Sequence, residues 1–221
     1  MIKFFMDNYI NIFSKAAEHL YISAFSLFLG VIVAVPIGIL ITKSQIGAKI
    51  VMAVASILQT IPSFALLAIM TIIGVGKKPA IIALFIYSLL PILRNTYLGI
   101  MNVDKNIIDA ARGMGMTESQ VLFKITIPMA MPVIMSGIRL STVYVLAWAT
   151  LASYIGAGGL GDFIFTGLQN YIPEMIIWGT IPVTLMALLA DFFLGKVEVK
   201  LSPNKTSGGS KWWRLKKYLL F

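Results

Sequence analysis

The stretch LYISAFSLFLGVIVAVPIGILIT, Leu20 to Thr42, contains no charged residue and ends against Lys43. As a helix rising 1.5 Å per residue, it is long enough to cross the roughly 30 Å hydrocarbon core of a bilayer. That reading sets the solvent for everything around it. The chain of 221 residues is 58% hydrophobic and only 12% charged, against roughly 45–50% and about 25% in soluble domains. A soluble protein of this size has no interior large enough to hide so much apolar surface.

Four further apolar runs follow. Ile50–Val75, between Lys49 and Lys77, carries Gln59 and Pro62 mid-run in LQTIPS. A proline there frees a backbone carbonyl and kinks the helix, and Gln59 is a candidate either to satisfy that group or to line a path. The third run starts at Ala80 and is uncharged only to Leu93, so it spans a bilayer only if its helix continues through RNTYLGIM. The fourth covers about Val133–Ile155 and the fifth about Met175–Leu194. The expected fold class is an all-α membrane protein of about five transmembrane helices. The expected division is an N-terminal interfacial segment over 1–19, a transmembrane domain over 20–195 and a basic tail over 196–221. In the tail, SPNKTSGGS reads as a flexible linker and KWWRLKKYLLF as a helix lying in the interface.

Positive charge sets the orientation. With the N-terminus outside, fourteen Lys and Arg lie at or near the cytoplasm and only Lys3, Lys15, Lys77 and Lys78 lie outside. Cytoplasmic loops collect such residues, so the N-terminus is expected outside and the C-terminus inside a cell membrane. The net charge of +9 then needs no nucleic acid partner. The absence of cysteine and the single histidine, His19, exclude thiolate and His-cluster metal sites. Arg94 and Arg139 are expected to anchor helices at the headgroups, with Asp191 as a charge at that level.

In YIGAGGLGDFIF, Tyr154 to Phe165, Gly156, Gly158 and Gly161 satisfy G-x-G-x-x-G. That fingerprint signals dinucleotide binding only after a strand, at the start of a helix, within a βαβ unit. Here it follows an apolar helical run. The glycines are expected to end that helix and form tight turns, with DFIFTGLQNY as a short re-entrant or interfacial piece. Asp162 stays open between capping the turn and meeting a docking protein.

The segment between the third and fourth runs contains DAARGMGMTESQVLFKITIPMAMP, Asp109 to Pro132. Ile107, Ile108, Ala110, Ala111 and Met114 beside Lys105, Asp109 and Arg112 predict a short amphipathic helix, ended by Gly113 and Gly115. The run resembles the EAA motif of ABC importer membrane subunits: E-A-A, three residues, Gly, nine residues, I-x-L-P. Asp109 stands in place of the Glu and Ile127 in place of the Leu. LQTIPSFALLA, LLPILRNTYLGI, MPVIMSGIRLSTVYVLAWATLASYIGAGGLGD and IPEMIIWGTIPVTL are similar to the permeases of osmoprotectant importers, which carry glycine betaine, carnitine or choline. The similarity covers roughly residues 18 to 195.

The resemblance implies a type I ABC importer permease, with a cytoplasmic coupling helix between spans three and four. Asp109, Ala110, Ala111, Gly113, Met114 and Gly115 would be its contact and turn positions. The implied partners are a pair of ATP-binding subunits, a second permease copy or a sister permease, and an extracytoplasmic substrate-binding protein, in a bacterial cytoplasmic membrane. The chain has no G-x-x-x-x-G-K-[ST] phosphate loop, so no cofactor and no catalysis are expected on it, and the partner ATPase uses the ATP.

Ser141, Tyr144 and Trp148 fall at i, i+3 and i+7, on one helix face. With Gln59 they are the candidate substrate path. Aromatic faces attract quaternary ammonium groups by about 0.5–2 kcal/mol each, and helix packing is the competing reading of the stripe. Two rival functions stand beside the main one: the same role for an amino acid cargo, and an ion-coupled secondary transporter. The second class often shows inverted repeats, and none is visible here.

Overall fold

Residues 1–202 are described by a computed structural model, and every element among them is helical. The first, α1, runs from Ile2 to Leu40 without a break. At 39 residues it is about 58 Å long, roughly twice the hydrocarbon thickness. Thus no structural boundary falls at residue 20: the segment 1–19, expected to be separate, is the first half of a continuous helix. Phe5 stacks on Trp178 at 4.4 Å, and Ile12 and Ala16 pack with Leu160, Phe163 and Val183.

After a short turn, α2 (Gln45–Thr60) and α3 (Ser63–Met70) form one apolar unit bent by 90°. The break falls at Ile61–Pro62, where the sequence placed a kink. Residue 61 precedes a proline and takes an extended ψ of 124°. The carbonyl of Ile61, left outside both helices, accepts a hydrogen bond from the Tyr87 hydroxyl.

The next helix, α4 (Lys77–Met101), continues through the RNTYLGIM segment; the third run is therefore long enough to span. Then come α5 (Lys105–Gly113), α6 (Glu118–Val121), a π-helical stretch over Leu122–Thr126, and α7 (Ile127–Ala152). The π stretch precedes Pro128 and Pro132. Pro128 lacks the N–H that the Lys124 carbonyl, inside the stretch, would take in an α-helix, and the wider ladder accommodates the mismatch. The Thr126 hydroxyl donates to the carbonyl of Val121, five residues back. A short α8 (Gly161–Gln169) leads to α9 (Pro173–Leu201). Residues 196–201, expected in the tail, belong to α9; the linker and interfacial helix expected beyond them lie outside the described residues.

Paired residues give the direction of each helix. Lys77 meets Glu18, and Gly30 and Gly38 face Ser88 and Thr96, so α1 and α4 run parallel. Gly99 lies against Val133 and Gly137 against Asn95, so α7 returns antiparallel. One end of the bundle carries α5 and the other α8. The α2–α3 pair leaves α1 at the α5 end and delivers the chain to the α8 end, where the Gly76 N–H donates to the carbonyl of Ile155 at 2.9 Å. Among the described residues four helices are long and apolar enough to cross a membrane, or five spans with this broken pair counted as one.

The seam between α1 and α4 is made of small residues. Gly30, Ala34 and Gly38 are buried four residues apart, and a Cβ on Gly38 would lie 2.7 Å from Thr96 Cβ. In lipid, apolar burial drives little between helices, and close packing across small residues takes its place. Ile92 and Leu93 pack beside Ala34, whereas other large side chains, among them Ile2, Ile32, Ile57, Ile72 and Leu188, are exposed.

Candidate coupling and transport sites

At the α5 end, Asp104 caps α5 by accepting from Asn106 N–H at 2.9 Å. Gly115, at φ 81°, ends it: Gly115 N–H donates to Arg112 and Met116 N–H to Ala111. This is the double-bonded helix stop that calls for a left-handed residue. Gly113 is the last helical residue and lacks the left-handed angle, so the expected pair of terminating glycines reduces to one. Thr117 and Gln120 then form a reciprocal cap at the start of α6. Arg112 spans the two helices with a fork on Glu118, at 2.8 and 3.1 Å, which raises the guanidinium above its ordinary pKa.

The helix is two-faced. Ala111 is 1% exposed and turns into the bundle, and Ile108 packs on the cluster of Ile100, Val103, Ala130 and Ile134. Asp109, Ala110, Gly113 and Met114 are exposed, as is Phe123 just beyond. Of the six positions implied by the motif, five line the presented side and its turn, while Ala111 seats the helix on its own chain.

The other expected set is divided. Ser141 is fully buried and donates to the Ser88 carbonyl at 3.0 Å, so it is a packing residue between α4 and α7. Tyr144 is partly exposed, and Trp148 lies between it and Tyr87 with ring centroids 5.4 and 4.4 Å apart. Gln59 is half-buried in the last turn of α2. Tyr87 joins this group only through the fold; the sequence reading had no reason to single it out.

Two charge clusters were not anticipated. At the α8 end, Glu18 accepts from Lys77 at 2.6 Å, Lys15 at 3.2 Å and the Gly159 N–H at 2.9 Å, while Lys15 also pairs with Asp162. Neither suggestion for Asp162 describes that contact. Beside it, His19 donates from Nε2 to the Leu146 carbonyl at 3.0 Å. Nearer the other end, Arg139 forks onto Asp191 and reaches Glu198 at 3.3 Å, binding α7 to α9 rather than extending freely to headgroups. Both clusters neutralise charges that would be costly near lipid.

Apolar helices, one of them broken, arranged about a small-residue seam and presenting a short two-faced helix at one end, define a multi-pass membrane transport subunit. Residues 26–202 match the binding-protein-dependent transport system inner membrane component, and the chain belongs to that family. It is 57% identical to the carnitine transport permease protein OpuCB of Listeria monocytogenes, over 92% of this chain and 94% of that one. It is 50% identical to the glycine betaine/carnitine/choline transport system permease protein OpuCB of Bacillus subtilis, over 94% and 96%. Among solved structures, the MetNI methionine ABC transporter in an inward-facing conformation superposes with a TM-score of 0.76 at 22% identity, covering 86% of this chain and 95% of that one. At that identity the likeness shows the fold.

Proposed function

We propose that this chain is the permease through which an ATP-driven importer takes up a quaternary-amine osmoprotectant: glycine betaine, carnitine or choline. The observation that carries the cargo class is near-full-length identity of 57% and 50% to permeases named for those compounds. In this reading the α5 end is cytoplasmic. The exposed side of α5, with Asp109, Ala110, Gly113 and Met114, enters a cleft on one of a pair of ATP-binding subunits, and Gly115 fixes its exit. The N-terminus and the α8 end face outside, where a substrate-binding protein docks. A second permease, identical or sister, completes the pore. ATP is bound and hydrolysed by the partner, and this chain carries no cofactor.

Tyr144, Trp148 and Gln59 border the route. Transit calls for weak, repeated attraction, which ring faces offer to a trimethylammonium group at about 0.5–2 kcal/mol each. The test is ATP-dependent uptake by the assembled complex in liposomes. Choline, glycine betaine or carnitine should be accumulated, and excess amino acid should not compete. Uptake that amino acids block and betaine does not would overturn the cargo. Trp148→Ala should slow uptake by about 2- to 30-fold while the subunits still co-purify; unchanged uptake removes Trp148 from the route.

A further inference from the structure

At the α8 end a pocket of about 290 Å³ is lined by Ser153, Tyr154, Asp162, Phe165, Thr166 and Gln169. Its walls combine two chemistries. Tyr154 and Phe165 meet edge to face at 5.7 Å, and Phe64 of α3 lies 5.4 Å from Tyr154 and 6.3 Å from Phe165. Tyr154 is 62% exposed, so packing leaves much of its ring open. Asp162 adds a carboxylate, and Thr166 and Gln169 add uncharged polar groups. On its other side Tyr154 lines a second cavity of about 330 Å³, together with Phe64, Leu67, Thr71, Val75 and Gly156. Tyr154 therefore stands between two cavities.

Open ring faces attract a quaternary ammonium group by cation–π contact. Lys15 already pairs with Asp162, so the pocket holds no large net charge to trap a cation. We propose that the pocket under Tyr154 is an entry subsite for the trimethylammonium group of the cargo. The proposal rests on the cargo class and orientation given above.

Because the chain has no cysteine, a single introduced thiol reports on the site. In the full complex carrying Thr166→Cys, millimolar choline should slow alkylation by a small maleimide by the factor 1 + [choline]/Kd, about twofold where its concentration equals Kd. The uncharged isostere of choline, with a tert-butyl group in place of trimethylammonium, should not. Tyr154→Leu should remove the protection and Tyr154→Phe should retain it; Phe165→Leu and a reporter at Gln169→Cys provide a second pair, and co-purification with the ATPase verifies assembly. Equal protection by the isostere, or protection that survives both leucine variants, overturns the subsite. So does a failure of both thiols to react, since the pocket would then be closed. Uptake is measured in parallel. Normal quaternary-amine uptake without protection removes the subsite alone, whereas protection without such uptake removes the cargo reading and leaves the subsite standing.

Discussion

Gly161 has no room for a side chain. A Cβ there would fall on the Thr150 carbonyl oxygen and the Ser153 hydroxyl, both in the last turns before α8. Gly156 and Gly158 serve differently: they sit at φ 75° and 83°, where a side chain strains the backbone. The G-x-G-x-x-G spacing thus joins two turn residues, of which Gly158 also lies against Glu18, to the close approach at Gly161. The turns were legible in the sequence, because glycines after an apolar helix signal a stop. The close approach was not, because it depends on where α8 folds back. Gly161→Ala should destabilise the folded chain by about 1–3 kcal/mol, read as a lower unfolding temperature of the purified complex. Gly47→Ala, with only ordinary contact to Ser44 and no left-handed angle, is the matched control and should not lower that temperature. Equal melting of the two variants would contradict the packing account.

Helix α5 shows what periodicity reveals and where it stops. Its apolar and charged residues predicted an amphipathic helix, and α5 with its cap and glycine stop is that helix. Pattern alone did not tell Ala110 from Ala111, since adjacent alanines are chemically equal. The distinction comes from a turn of about 100° per residue on a helix already seated on Ile100 and Ala130. Ala110→Trp is expected to leave the chain folded in the membrane and to weaken ATPase association by about tenfold or more, an effect of about 1.4 kcal/mol, measured by subunit binding in detergent. Ala111→Trp should instead lower the yield of folded chain. The reverse outcome would turn the docking side around. The α2–α3 unit repeats the lesson. Pro62 announced the kink, but the donor to the Ile61 carbonyl beside it is Tyr87, 26 residues after Ile61, which only the packing of α4 beside α3 brings into reach.

For the assembled fold, the charge bias that oriented the chain yields a direct test. With single cysteines in intact cells, a membrane-impermeant maleimide should label Val75→Cys, exposed at the α8 end, and spare Met114→Cys, exposed at the α5 end. Labelling of the second and not the first would invert the orientation and remove α5 from any cytoplasmic partner. Membrane residence, the apolar runs, the proline break and the short helix of the EAA-like motif were all set by composition and local spacing, because lipid and backbone hydrogen bonding act on each segment separately. Helix pairing was not. Gly30, Ala34 and Gly38 form the α1–α4 seam, Glu18 joins Lys77 and Gly159, and Arg139 joins Asp191 across separations that no local pattern encodes. Those contacts depend on which faces meet once the helices assemble, and in lipid that choice falls to shape and charge complementarity between helices.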